Sequence, residues 1–136
     1  IGEELEPEPA AMLQAARRAL RKACVEADLG ITEASLAIAK TGTLIMVGDE
    51  GDDRLAAVLP RIHVTLLDCS NLVSAMEDAT ARLRLLAETT RHGKTPSYVT
   101  YLTGRNTTGD IPGALMARAQ GPDEEHIVLV QGDAAA

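Results

Sequence analysis

The sequence has no phenylalanine and no tryptophan, and its only aromatic side chains are Tyr98 and Tyr101. A core must then be built from Leu, Ile, Val, Ala and Met, a palette that suits parallel sheets covered by helices. Cysteine is scarce too. Cys24 and Cys69 lie far apart, with no Cys-x-x-Cys and no histidine at metal-ligand spacing. That pattern excludes a disulfide framework and points away from a zinc site or an iron–sulfur cluster held by this chain alone. Basic charge is outweighed, 13 Lys and Arg against 20 Asp and Glu, for a formal net charge of −7. The broad positive footprint of a nucleic-acid binder is missing, so no nucleic-acid partner is expected. No run of residues is long and apolar enough to cross a membrane as a helix, and no membrane partner is expected.

What is present fits one ordinary domain. The chain has 136 residues and is 46% hydrophobic, a globular composition. Residues Ile1 to Glu8 are acidic and run into Pro7 and Pro9, the opposite of a signal peptide's basic, apolar start. Because the chain begins with Ile1, the expectation is a trimmed or excised piece of a longer protein.

Hydrophobic spacing then orders the chain. Leu13, Ala16, Leu20, Ala23, Cys24 and Ala27 recur at helical intervals over 10–28, with Arg17, Arg18, Arg21 and Lys22 on the other face. Leu29 to Thr43 is rich in small residues and turn signals at Gly30 and Gly42. Leu44 to Val47 predicts a buried strand, and Arg54 to Leu59 a short helical turn ended by Pro60. A strand over His63 to Leu67 follows. Ser74 and Glu77 form a capping box for a helix over 72–90, which His92 and Gly93 close. Further strands are predicted over Ser97 to Leu102 and His126 to Val130. Strand, helix and strand in the middle predict a right-handed βαβ unit with its two strands parallel. Ligands of such sheets sit at the carboxyl ends of the strands. Asp68-Cys69-Ser70 and Thr103 to Thr108 should therefore share one edge, and that edge is the expected site.

Three segments carry polar chemistry. Lys40-Thr41-Gly42-Thr43 sets two hydroxyls and a turn glycine before a buried strand, a nest that can hold carboxylate or phosphate. Gly48 to Asp53, which includes Glu50, is rich in carboxylates but lacks the length and closing Glu of a calcium loop. Thr103-Gly104-Arg105-Asn106-Thr107-Thr108-Gly109-Asp110 mixes a cation, an amide, hydroxyls and a carboxylate between glycines. That mixture suits orientation of a small anion, with Arg105 as the charge-assisted donor. It has no Gly-Lys-Ser/Thr signature of a P-loop. His63 and His126 each open a strand, and on that geometry both are structural, opposite the expected site. No paired carboxylates, Ser-His-Asp order or Cys-His arrangement can be defended, so catalytic residues stay unassigned.

Ala27-Asp28-Leu29-Gly30-Ile31-Thr32-Glu33-Ala34, followed by Leu36-Ala37-Ile38-Ala39-Lys40-Thr41-Gly42-Thr43, resembles the LUD domain of the lactate-utilisation proteins LutB and LutC. The likeness continues through Glu50-Gly51, Arg54-Leu55, Leu59-Pro60 and His63-Val64. It ends in Ser97-Tyr98, Leu102-Thr103-Gly104 and Gly121-Pro122-Asp123-Glu124-Glu125-His126. Glu50-Gly51-x-x-Arg54-Leu55 and the opening Ile1 to Leu5 resemble the LutB version more than LutC. The resemblance implies an α/β fold, a three-layer Rossmann-like sheet akin to the NagB/RpiA/CoA-transferase superfamily, spanning 1–136 as a single LUD domain. It implies cytoplasmic work in oxidising L-lactate to pyruvate beside LutA- and LutC-like partners, on a small carboxylate substrate. Lys40 stands where the family usually has Glu. The family's amino-terminal part and its cysteine-rich ferredoxin-like arm lie outside this sequence, so any iron–sulfur clusters are expected on a partner or on that other segment. The ligand candidates are Lys40, Thr41, Gly42, Thr43, Glu50, Arg54, Thr103, Gly104, Arg105, Asn106, Thr107, Asp110 and His126. Two other classes stay open: a transferase or isomerase handling CoA or a phosphosugar, and a non-catalytic interaction module.

Overall fold

The computed structural model describes residues 8–49, 51–89, 96–104 and 121–131. Helix α1 spans Pro9–Glu26. Proline at its first position suits an N–H that would have no helical partner, and the Ala27 amide closes the last turn on the Ala23 carbonyl at 2.9 Å. Ala15 and Cys24 are buried, but Leu13 and Leu20 stay open. The apolar stripe read from the sequence is thus only partly covered, because α1 meets its neighbours chiefly at the short helix α2 (Asp52–Val58).

The small-residue stretch after α1 is not loop. It forms strands β1 (Leu29–Glu33) and β2 (Leu36–Ile38), which lead into β3 (Thr43–Gly48). In β1, Gly30 and Thr32 face inward while Leu29, Ile31 and Glu33 face out, the period of two that a pleated strand imposes. Gly30 is there because nothing larger fits: a Cβ would lie 1.9 Å from the Ala56 carbonyl oxygen of α2. Helix α2 can therefore lie almost on the strand.

Strand β4 (Ile62–Asp68) runs parallel to β1 on one side and to β7 (Glu124–Val130) on the other. These three make one sheet in the order β1-β4-β7. A second sheet has the order β5-β2-β3-β6, where β5 is Leu72–Val73 and β6 is Tyr98–Leu102. The fold is α/β, with one parallel and one mixed sheet.

The predicted βαβ unit does not form. Both edges of β4 are already taken by β1 and β7, so β6 cannot join it. Instead β6 pairs antiparallel with β3, from Leu44 opposite Leu102 to Gly48 opposite Tyr98. Leu72 and Val73 pair with β2 rather than starting a helix, and α3 covers Met76–Thr89. Its start is held by Asp78, not Glu77: the Asp78 carboxylate accepts from the Ser74 hydroxyl at 2.6 Å and from the Ala75 amide at 3.3 Å.

Two apolar clusters hold these layers. Leu36, Ile38, Ile45, Val73 and Ala79 pack one face of the mixed sheet against α3. Ala34, Ala37, Leu44 and Leu67 join the two sheets, with Leu102 against them. Leu36, Ile38, Leu44 and Ile45 are each at most 2% exposed. Removing one such side chain should cost about 2–5 kcal/mol through lost burial and the cavity left behind.

Candidate functional site

Strand β4 alternates, and the residues it turns inward are His63, Thr65 and Leu67. Two of these three are polar in a fully enclosed position: His63 and Thr65 are both 0% exposed. Opposite them on β1 lies Thr32, also buried. The His63 Nε2 atom lies 2.8 Å from the Thr32 Oγ1 and 3.2 Å from the Thr65 Oγ1. That ring nitrogen is well provided for.

The other is not. Among the described residues, His63 Nδ1 makes no hydrogen bond although it is buried. Strand β7 places Glu125 directly across from His63, and its Oε1 stops 3.7 Å from Nδ1. This separation permits ionic attraction when the imidazole is protonated, but it is too long for a hydrogen bond. An unpartnered buried nitrogen typically costs about 1–3 kcal/mol, so it calls for an explanation.

His63 and Glu125 line a cavity of about 230 Å³ together with Val58, Tyr101, Thr103 and Gly104. At about 30 Å³ per water that is the space of roughly seven waters, ample for a ligand of a few heavy atoms. Thr103 belongs to a chain of hydroxyls: Thr43 donates to Thr103 Oγ1 at 3.4 Å, and the Thr41 and Thr43 hydroxyls lie 2.7 Å apart. The approach to β7 is pinned beneath the cavity. Asp123 accepts from Arg61 Nε at 3.1 Å, and the Asp123 amide donates to the Arg61 carbonyl at 2.7 Å. A larger cleft of 620 Å³ opens between the mixed sheet and α3, but its guanidinium, Arg82, already donates to the Ser70 carbonyl at 2.7 Å.

The sequence candidates divide cleanly. Thr103 and Gly104 line the His63 cavity, and Thr43 and Thr41 reach it through their hydroxyls. Gly42, at a φ of 67°, borders a separate apolar cleft with Leu67, Ile127 and Leu129. Lys40 is exposed in the same turn, its amide donating to the Ser74 carbonyl at 3.3 Å. Arg54 is exposed on α2 and is not among the cavity's walls. His126 alternates to the other face of β7 from Glu125, where its Nε2 lies 3.2 Å from Glu124 Oε2. Glu50, Arg105, Asn106, Thr107 and Asp110 lie outside the described residues, as do His92 and Gly93.

Asp68-Cys69-Ser70 does not share an edge with Thr103. His63 stands near the amino end of β4 and Asp68 at its carboxyl end, about 16 Å away at 3.3 Å per residue. Because β6 runs antiparallel to β3, its carboxyl end arrives at the amino end of β4, which is where the cavity lies. His63 stands at the amino end of its strand, as its position in the sequence indicates, and the cavity lies at that end. The useful cue was its place in the inward-facing alternation, within a stretch that also carries the family likeness.

Among the described residues, two carboxyl groups elsewhere are shifted. Asp53 is raised above its ordinary value by burial and by the nearby charges of Asp52 and Glu33. Asp68, partly exposed, is lowered by the hydrogen bonds it accepts from Ser70. Cys24 is buried in α1 and Cys69 exposed after β4. Two thiols do not provide the four-thiolate set that an iron–sulfur cluster takes.

The LUD-domain family model matches residues 3–130. The chain belongs to the LUD-domain family. Among curated proteins, this LUD domain is 36% identical over 115 residues to lactate utilization protein B of Shouchella clausii, covering 85% of this chain and 22% of that protein. It is 32% identical over 130 residues to lactate utilization protein B of Bacillus licheniformis, covering 96% and 26%. The counterpart in Bacillus subtilis is 33% identical over 122 residues, covering 90% and 24%. The LUD domain therefore spans about a quarter of the length of these relatives. A crystal structure of a DUF162 family protein from Deinococcus radiodurans shares the fold, with a TM-score of 0.53 and 23% identity over 82% of this chain and 58% of that one.

Proposed function

We propose that this single LUD domain is a component of a lactate-utilisation system that oxidises L-lactate to pyruvate, where it binds the small carboxylate substrate and meets partners of the LutA and LutC kind in the cytoplasm. The observation that carries this reading is the identity of 31–36% to lactate utilization protein B across 85–96% of the chain. The cavity supports it with a buried imidazole, a carboxylate and a threonine hydroxyl around a space suited to a small polar ligand. Arg105 follows Gly104 directly in sequence, and we assign it the substrate carboxylate through a charge-assisted hydrogen bond. This chain has only two cysteines, so any iron–sulfur clusters that would accept the electrons would sit on a partner or on another segment. The test is calorimetric titration of the full chain with L-lactate, beside Arg105→Ala and Thr103→Ala. Binding that weakens in both variants supports the reading. No heat of binding to the parent chain, and no copurification with LutA- or LutC-like proteins, would overturn it.

A further inference from the structure

We propose that the space between His63 and Glu125 is a hydroxyl-recognition slot, which makes the cavity select 2-hydroxy acids over 2-oxo acids of the same carbon skeleton. The inference rests on the small-carboxylate reading above and names the group that decides between substrate and product.

The argument begins with the imidazole's two nitrogens. Nε2 has two threonine hydroxyls within reach, Thr32 at 2.8 Å and Thr65 at 3.2 Å, and either can rotate to donate to it. A neutral imidazole carries a single N–H, and the nitrogen that holds it is set by its neighbours. With the Glu125 carboxylate facing Nδ1 and donors available at Nε2, the proton belongs on Nδ1. Between these two cavity-lining residues, a buried donor, Nδ1–H, and an acceptor, Glu125 Oε1, are then held 3.7 Å apart. They cannot satisfy each other at that distance.

An alcohol oxygen satisfies both. It accepts from Nδ1–H with one lone pair and donates its own proton to the carboxylate, lying about 2.8 Å from each. A ketone oxygen has lone pairs only, so it gains the imidazole contact but meets the carboxylate with no proton between them. A methylene in the same place leaves Nδ1 and Glu125 unpaired. Sites built to hydrogen-bond a substrate hydroxyl reject analogues without it, because the protein's own polar groups are then stranded. The Glu125 side chain is 22% exposed, so water offsets part of that penalty, and a preference of about tenfold is expected rather than the largest known.

The experiment is calorimetry of the full chain with L-lactate, pyruvate and propionate, repeated on Glu125→Gln. The glutamine is nearly isosteric, and a thermal melt checks that the variant stays folded. L-Lactate should bind about tenfold tighter than either of the others. In Glu125→Gln the amide can donate to a ketone oxygen, so the lactate preference over pyruvate should collapse or invert. Nitrogen-detected NMR of the histidine rings should show the His63 Nδ1 resonance moving on lactate addition while Nε2 stays put. Equal affinity for lactate and pyruvate, or a preference that survives Glu125→Gln, would overturn the slot and leave small-carboxylate binding standing. Failure of all three acids to bind would overturn both.

Discussion

The two sheets of this domain are packed by opposite rules. In the mixed sheet most enclosed side chains, among them Leu36, Ile38, Leu44, Ile45 and Met46, are apolar groups whose only demand is close contact, with Thr43 a polar exception at the edge of the cavity. In the parallel sheet the enclosed positions of β1 and β4 include Thr32, His63 and Thr65, which need partners as well as space. The outer face of that same sheet leaves Leu29, Ile31, Leu66, Val128 and Val130 at least 40% exposed. A sheet that buries hydroxyls and an imidazole while leaving aliphatic side chains open is not arranged for stability alone. The mixed sheet is the scaffold, and the parallel sheet spends part of its interior on the cavity.

That contrast can be broken at its strongest point first. Ile45→Ala in the mixed sheet should destabilise the domain by about 3–4 kcal/mol, read by urea denaturation. Ligand affinity, measured well below the midpoint, should not change. Next is Gly30→Ala, whose methyl would be driven into the Ala56 carbonyl; overpacking against backbone should cost about 3 kcal/mol and shift the unfolding midpoint accordingly. Third, His63→Leu leaves the Thr32 and Thr65 hydroxyls without the ring nitrogen they share, a loss of about 2 kcal/mol. The triple change Thr32→Val, His63→Leu and Thr65→Val should recover most of that loss, since replacing all partners by apolar groups is close to neutral. It should bind no ligand. A triple variant that stayed as unstable as the single one would show the buried polar group to be structural.

The smallest effect concerns charge. Asp53 is raised from its ordinary 3.8 by burial and two neighbouring carboxylates. An acid whose folded value is raised favours the fold below its unfolded value, and that advantage is lost as pH climbs through the folded one. At neutral pH its ionised form is therefore a small liability. Asp53→Asn should stabilise the domain at pH 7 by a few tenths of a kcal/mol after solvent screening. The gain should fade as pH falls below the carboxylate range, which thermal melts at a series of pH values would show.

Much of this was legible from residue order. The buried strand at Leu44 to Val47 and the turn at Thr41-Gly42 were placed correctly along the chain, and the hydroxyl chain from Thr41 through Thr43 reaches Thr103, another residue singled out from the sequence. Strands β1 and β2 were not legible, because elements of only five and three residues, with Gly30 inside the first and the Gly42 turn after the second, show too little of a period until a partner strand pairs with them. The separation of β4 from β6 was hidden for a related reason. Strand partners are chosen by competition for edges, and the competitor that excluded β6 from β4 lies much later in the chain, at β7. The meeting of His63 with Glu125 depends on that same late pairing, so no local pattern announces it.

That late pairing also sets the order in which the domain can assemble. The parallel sheet draws its strands from residues 29–33, 62–68 and 124–130, each separated by a long excursion. The mixed sheet's hairpin of β2 and β3 closes over a four-residue turn from Ala39 to Gly42. Loop closure must precede any reward from distant contacts, so topologies of this kind fold slowly. During synthesis, the hairpin scaffold can form while β7 is still inside the ribosome. His63 waits for Glu125 until β7 has emerged, so within this domain the cavity is completed only after the hairpin scaffold.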